Sequence, residues 1–136
     1  MTQQEIQDRN KEIALMLDLN HDEEVVIFNM HSYSWDMLRF NSDWNWLMEA
    51  VEFIKKNIRL SSNTSDAKVG EYFIDEWEFN VKKFYIRLIQ WTGTGWKMFD
   101  KDLSIFYIIG VNCQSEKEAI FLAVSDFAQK FNNNKL

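Results

Sequence analysis

Residues 42–58 carry the pattern that most constrains the fold, because their apolar side chains recur at the spacing of one helix face. Ser42 is a good N-cap, and Asp43 places negative charge at the positive end of the helix dipole. We predict a helix from about Asp43 to Arg59. Its two apolar stripes predict that it is covered on more than one side: Trp44, Leu47, Met48, Val51, Ile54 and Ile58 form the main stripe, and Trp46, Ala50 and Phe53 form the second.

Helices are also predicted near both ends of the sequence, each from a capping box. Thr2 and Glu5 begin a helix from Gln3 to about Leu17, and Ser115 and Glu118 begin a helix that runs to about Phe131. The side chains of a capping box satisfy backbone N–H groups that have no partner at the helix start. The stripes predicted to face the core are Ile6, Ile13, Met16 and Leu17 in the first helix, and Ile120, Ala123, Val124, Phe127 and Phe131 in the last.

Strand patterns occupy most of residues 72–111, which are rich in aromatic and β-branched side chains. Thr92–Gly95 predicts a tight hairpin turn, because glycine takes the positive φ angles that such turns need. Asn80 is a second candidate turn. The predicted strands are Val25–Phe28 at a sheet edge, Tyr72–Trp91 with Phe84, Ile86 and Leu88 alternating against Lys83, Tyr85 and Arg87, Trp96–Phe99, and Leu103–Val111 as the most buried strand, while residues 29–40 form a loop or a weak strand.

These elements predict an α+β fold in which a short antiparallel sheet of three to four strands packs with N-terminal, central and C-terminal helices, as an α/β sandwich. The chain has 136 residues, of which 46% are hydrophobic, so one core is expected. We predict a single domain over residues 1–136, with a mobile surface loop at residues 61–68.

The charge balance bears on the class of partner. The formal net charge is −6, whereas affinity for nucleic acid comes from Lys and Arg displacing counterions from phosphates, so nucleic acid is disfavoured as a partner. Met1–Asn10 is polar, and the longest apolar run, Leu103–Val111, is too short to cross a bilayer as a helix. We therefore expect a cytoplasmic protein with no membrane partner.

No arrangement of residues predicts chemistry. Cys113 has no basic neighbour in sequence that would lower its thiol pKa. His21 and His31 lie near carboxylates but lack the paired spacing of zinc sites. Asp75 and Glu76 should point to opposite faces of a strand, and Glu76 and Glu78 should share one that faces solvent. We expect no catalytic residue, no metal ligand and no cofactor.

Tryptophan is the most distinctive residue type, with six copies. Trp44 falls on the main stripe of the central helix and is predicted to be structural. The other tryptophans lie on the second stripe or near loops and strand ends, where an exposed ring can contact a ligand or a partner. The candidate contact residues are Trp35, Trp46, Trp77, Trp91 and Trp96, together with Lys82, Lys83 and Arg87 as phosphate-binding cations.

The chain combines a short first helix, antiparallel strands, the central stretch Phe40-Asn41-Ser42-Asp43-Trp44-Asn45-Trp46-Leu47-Met48-Glu49-Ala50-Val51-Glu52 and a closing helix that contains Glu118-Ala119-Ile120-Phe121-Leu122-Ala123. This combination resembles small uncharacterised proteins of phages and prophages. These include members of the phage α/β/α (ABA) sandwich family. The resemblance implies a sandwich fold and a phage-type origin, and it implies no activity.

Three functional hypotheses follow. The first is a non-catalytic accessory protein that binds itself, as a homo-oligomer, or another protein through an uncovered apolar stripe or a strand edge. The alternative is a protein that binds or sequesters a small, nucleotide-like molecule by aromatic stacking and Lys or Arg contacts. A hydrolase that uses Asp75, Glu76 or Glu78 is the third and the least favoured.

Overall fold

The computed structural model describes residues 1–58, 61, 66–79, 83–99, 105–110 and 113–134. The helices and strands within them confirm the predicted α+β class. In chain order they are α1 (Gln3–Met16), β1 (Val25–Phe28), β2 (His31–Ser34), a 3-10 turn (Trp35–Met37), α2 (Trp44–Asn57), β3 (Tyr72–Phe79), β4 (Lys83–Trp91), β5 (Trp96–Met98), β6 (Ile105–Ile108) and α3 (Glu116–Asn134).

The strands form two antiparallel sheets. β1 and β2 make a two-stranded hairpin. In the four-stranded sheet β3 pairs with one side of β4, while β5 and β6 share the other side, β5 along residues 89–91 and β6 along residues 83–86. The sheet is therefore three strands wide, with β4 in the middle.

Two of the three predicted helix starts are confirmed at the residues that cap them. The Thr2 hydroxyl accepts the backbone N–H of Glu5 at 3.1 Å, and the Ser115 hydroxyl accepts that of Glu118 at 3.1 Å. The prediction of Ser42 as the N-cap of α2 was wrong. Asp43 has the extended backbone of an N-cap, and its carboxylate accepts the N–H groups of Asn45 and Trp46, so the helix begins one residue later.

The main core lies between the helices, β1 and one face of the four-stranded sheet. α1 packs against α3, and α3 packs against β4 and β6. From the sheet this core takes the predicted alternating residues of β4 and their neighbours on β3 and β6: Phe84, Ile86, Leu88, Ile74 and Ile105. We call this side of the sheet the inner face and the opposite side the outer face.

The assignment of Trp44 to the core was wrong, since its side chain is 44% exposed whereas that of Trp46 is 6% exposed. Residues 44 and 46 lie about 200° apart around a helix, so only one of them can face the core. Trp46 is buried because it packs on the rings of Phe28 and Phe40. The buried side of α2 thus takes residues from both predicted stripes: Trp46, Leu47, Ala50, Val51 and Ile54.

The prediction that Asp75 and Glu76 point to opposite faces of a strand was wrong, because β3 has a β-bulge at Asp75. Ile74 pairs with Leu88 and Glu76 pairs with Arg87, so Asp75 is an extra residue in β3. Two successive residues of a bulged strand oppose one residue of the partner strand, and both lie near the same face. Asp75 and Glu76 are both exposed and both reach Arg87, instead of pointing to opposite faces. The bulge also turns Trp77 toward the main core, against which it packs.

Several predicted features fall partly outside the described residues. These are the candidate turn at Asn80, the end of the central helix at Arg59, residues 62–65 of the predicted loop, and Leu103, Ser104 and Val111 of the predicted fourth strand. The Thr92–Gly95 turn is confirmed, because the Thr92 N–H donates to the Gly95 carbonyl at 2.9 Å and Trp91 pairs with Trp96. The segment predicted as a loop or a weak strand contains β2 and the 3-10 turn.

Candidate functional site

The outer face of the four-stranded sheet is the candidate site. Residues that pair directly across an antiparallel ladder lie on the same face, and alternate residues of a strand share that face. The register therefore places the following described residues on the outer face: Phe73, Glu76 and Glu78 of β3; Lys83, Tyr85, Arg87, Ile89 and Trp91 of β4; and Trp96 and Met98 of β5.

One end of this face is apolar. Phe73 and Ile89 are 0% and 2% exposed, yet neither belongs to the main core, so they form the base of a separate cluster. Trp96 reaches from β5 across β4, with its ring centroid 5.3 Å from that of Phe73 on β3. Trp91 packs edge-on against Trp96 at 4.9 Å. We call these four residues and Met98, which is 47% exposed, the apolar end.

The other end carries opposite charges on neighbouring strands. Arg87 lies between two carboxylates, with its Nε 3.6 Å from Asp75 Oδ2 and its Nη1 3.9 Å from Glu76 Oε1. Lys83 Nζ lies 3.1 Å from Glu78 Oε2. The acidic groups thus come from β3 and the basic groups from β4. We call this the charged end.

Tyr85 lies among these charges on β4. Burial raises the pKa of its phenol above the ordinary value, and the negative charge of Glu76 raises it further. Tyr85 is therefore a neutral hydrogen-bonding group at physiological pH.

The backbone holds the apolar end in place. The Gly70 N–H donates to the Trp91 carbonyl at 2.8 Å, and the Trp91 N–H donates to the Glu71 carbonyl at 2.9 Å. In the hairpin turn Gly93 has a φ of +96°, and a Cβ at this position would lie 3.1 Å from Val69 Cγ2. Both the backbone angle and the close approach favour glycine there.

The structure brings four of the predicted contact residues together: Lys83, Arg87, Trp91 and Trp96 share the outer face. Three others lie elsewhere. Trp46 is buried in the main core, and Trp77 lies on the inner face with Lys55 Nζ 5.7 Å from its ring centre. Trp35 lies in a separate cleft, described next. Lys82 lies outside the described residues.

Trp35 lines an open cleft of about 890 Å³ between α1 on one side and residues 21–24 with the start of the 3-10 turn on the other. Its indole N–H donates to the Asp22 carbonyl at 3.0 Å, and Lys11 Nζ lies 5.6 Å from its ring centre. The Asp22 carboxylate accepts the N–H groups of Val25 and Glu24, which lower its pKa. The Asp22 carboxylate is therefore already engaged in closing this turn.

The described part of the chain gives no metal site and keeps the one cysteine protonated. No group of three or more His, Cys, Asp or Glu side chains there has the geometry to hold a metal ion. Cys113 is buried, which raises its pKa, and Glu118 adds to the shift. Its thiol is therefore protonated and a poor nucleophile at neutral pH.

Sequence reasoning missed the residues on which the apolar end is built. Phe73 and Ile89 each stand beside another buried apolar residue, Ile74 and Leu88, so both faces of the sheet are apolar at that level. The sequence signal for an apolar patch on the second face was a pair of adjacent apolar residues in a strand that otherwise alternates.

Comparison of the chain with models of protein families, with curated proteins and with solved structures found no match. No helix among the described residues is both long enough and apolar enough to cross a membrane.

Proposed function

We propose that this chain is a non-catalytic accessory protein of phage or prophage type that acts by binding a protein surface with its outer face. The observation that carries the proposal is the second apolar cluster. Trp91, Trp96 and Met98 stand on the side of the sheet opposite the helix-covered core. Aromatic residues and methionine are enriched at protein interfaces, where a large ring gives contact area at low entropic cost.

The outer face is better suited to binding a protein than the edge of β3 is. A strand edge was the other surface through which association was expected from the sequence. An exposed strand edge pairs with another strand only if it is regular, and bulges and charges block such pairing. β3 has the Asp75 bulge and carries Glu76 and Glu78. Binding through the face is therefore favoured.

Two exposed methionines give a matched test. Met98 is 47% exposed on the outer face. Met37 is 59% exposed and lies in the 3-10 turn, which is not part of the four-stranded sheet. Immobilised wild-type chain, Met98→Glu and Met37→Glu would be used to capture proteins from cells that carry the gene, and each captured protein would be purified and its Kd measured. We expect Met98→Glu to weaken binding at least about tenfold and Met37→Glu to leave it unchanged.

Equal binding by Met98→Glu and the wild type would contradict the proposal, and so would a loss confined to Met37→Glu. The phage-type origin has its own test in the gene neighbourhood. Adjacent phage structural, replication or anti-defence genes would support that origin, and a neighbourhood of ordinary metabolic genes would contradict it.

Nucleotide binding is the second candidate, favoured by the presence of Lys83, Arg87 and Trp91 on the same face of β4. It has less support, because carboxylates already lie 3.1–3.9 Å from both cations and would repel a phosphate. A thermal-shift screen with a nucleotide panel tests it. A stabilising nucleotide whose effect is lost in Arg87→Ala would favour this role over protein binding.

A further inference from the structure

We propose that the protein seated on the outer face is a second copy of this chain, related to the first by a two-fold axis that runs parallel to the strands between β3 and β4. This inference rests on the proposed function, since it names the partner of the same surface. Two sheets that pack face to face lie about 10 Å apart with their strands within about 30° of each other. The proposed axis places β3 of each copy over β4 of the other.

Charge complementarity carries the inference. At the charged end the acidic side chains belong to β3 and the basic side chains belong to β4. Glu76 and Arg87 pair directly and are therefore at the same level of the ladder, whereas Lys83 lies two residues along β4 from Tyr85, which pairs with Glu78. The two-fold therefore sets Glu76 of each copy against Arg87 of the other, and a symmetric dimer forms this contact twice. A face that carried one sign of charge would instead repel its own copy.

Glu76 and Arg87 are both exposed enough to form an ion pair with the second copy. The Glu76 side chain is 57% exposed and lies at 3.9 Å from Arg87, which is a long ion pair. The Arg87 side chain is 33% exposed. Arginine has five N–H donors in a fixed fork, so Arg87 can keep Asp75 as a neighbour and still bind a carboxylate from above.

In the same arrangement the apolar ends of the two copies face each other. Phe73 and Ile89 pair across β3 and β4, so the axis sets the Phe73 position of each copy over the Ile89 position of the other. Trp96 extends from β5 to Phe73 and therefore lies toward the axis, where it meets Trp96 of the second copy. Buried aromatic rings near the centre of an interface are the usual source of its binding energy.

A charge exchange between two variants tests the arrangement. Arg87→Glu and Glu76→Arg each set like charges against each other at both contacts, so each variant alone should dimerise at least about tenfold more weakly than the wild type. An equal mixture of the two restores both opposite-charge contacts and should form heterodimers. The double variant Glu76→Arg/Arg87→Glu should dimerise like the wild type. Sedimentation velocity from 1 to 200 µM gives the Kd, and native mass spectrometry identifies the heterodimer.

The outcomes separate this inference from the proposed function. Single variants that dimerise as well as the wild type, or a mixture that forms no heterodimer, would overturn the proposed axis, while loss of association in Met98→Glu alone would still support binding by the outer face. A wild-type chain that is monomeric up to 200 µM would overturn the second copy as partner, and the capture experiment would then decide the proposed function. Far-ultraviolet circular dichroism confirms that each variant is folded. The double variant keeps the ion pair within each copy, so it gives a readout even where a single variant is unstable.

Discussion

Glu76 and Arg87 lie directly opposite each other on the outer face because Asp75 is bulged out of the β3–β4 ladder. In a regular ladder that kept all residues, Asp75 would face Arg87. Glu76 would then turn toward the helices, and Trp77 would turn toward solvent. The bulge therefore puts the carboxylate on the outer face and the indole against the main core.

Deletion of Asp75 should be tolerated, because it removes the extra residue and leaves Ile74 inward, Glu76 outward and Trp77 inward. We expect a loss of less than about 2 kcal/mol in the free energy of unfolding, measured by urea denaturation. Deletion of Tyr85 in β4 is the control. It turns every residue on one side of the gap to the wrong face and should abolish cooperative unfolding. Loss of folding on deletion of Asp75 would contradict the bulge.

The two tryptophans at the start of α2 should respond differently to truncation. Trp46→Ala removes a ring that packs on Phe28 and Phe40 and should cost about 3–5 kcal/mol. Trp44→Ala removes a side chain that is 44% exposed and should cost less than about 1 kcal/mol. Urea denaturation measures both, and equal costs would show that the burial of Trp46 is assigned wrongly.

A network between α1, β6 and α3 predicts a response to high pH. The Tyr107 phenol donates a hydrogen bond to Asp126 Oδ2, and Arg9 Nη1 donates to Asp126 Oδ1 at 2.7 Å. Burial raises the pKa of Tyr107 far above its ordinary value of 10.0, and the Asp126 carboxylate adds to the shift.

The sign of the pH effect follows from this raised pKa. The unfolded chain loses the phenol proton near pH 10 whereas the folded chain keeps it, so the stability contributed by Tyr107 is present below pH 10 and is lost as the pH rises above it. Tyr107→Phe has no proton to lose and should lose less stability between pH 9 and pH 11 than the wild type. Thermal unfolding across this range measures the difference, and parallel curves would contradict the assignment. Tyr85, whose pKa is also raised, remains in both proteins.

Asn10 is the buried polar residue of α1, with 2% of its surface exposed. Its side-chain amide donates to the Leu38 carbonyl at 3.2 Å and to Asn41 Oδ1 at 3.0 Å. Asn10→Asp replaces the donor with a buried carboxylate beside two acceptors and should cost at least about 3 kcal/mol at pH 7.

A low-pH measurement separates the charge from a packing defect in this variant. Burial raises the pKa of an aspartate at this position, and the protonated form restores a donor. The destabilisation of Asn10→Asp should therefore be smaller at pH 4 than at pH 7. A destabilisation that is independent of pH would contradict the role of the two acceptors.

The helices were predictable because their signals are local. The Thr2 and Ser115 caps and the stripe from Ile120 to Phe131 depend on residues three or four positions apart, and the structure confirms them. The alternation in β4 and the Thr92–Gly95 turn are local in the same sense. The N-cap of α2 was displaced by one residue because Ser42 and Asp43 are both good caps.

What could not be predicted depends on contacts between distant segments. The β1–β2 hairpin turns at Asn29 and Met30, both with positive φ, where glycine is the usual signal, so residues 29–40 resembled a loop. The choice between Trp44 and Trp46 is made by Phe28 and Phe40. The bulge at Asp75 is fixed by the register with β4.

The candidate site was predictable in four of its residues and not in its assembly. Trp91 and Trp96 were named from residue type and from their positions near strand ends, and Lys83 and Arg87 as part of a basic cluster in the sequence. Only the pairing of β4 with β3 and β5 places the four on one face. The same pairing shows that carboxylates neutralise the two cations, which the sequence order of Asp75, Glu76 and Glu78 suggested only as mixed surface charge.

Hydroxyl-radical footprinting of the associated chain tests binding by the outer face most directly, because methionine and tryptophan side chains stand on two separate surfaces. Met98 and Trp96 report on the outer face, while Met37 and Trp44 report on the region that precedes and begins α2. Oxidation would be measured by mass spectrometry for the chain alone and for its complex with itself or with a captured protein. Binding by the outer face predicts that Met98 and Trp96 become protected while Met37 and Trp44 keep their reactivity. Protection of Met37 and Trp44, with Met98 and Trp96 oxidised as in the chain alone, would contradict it.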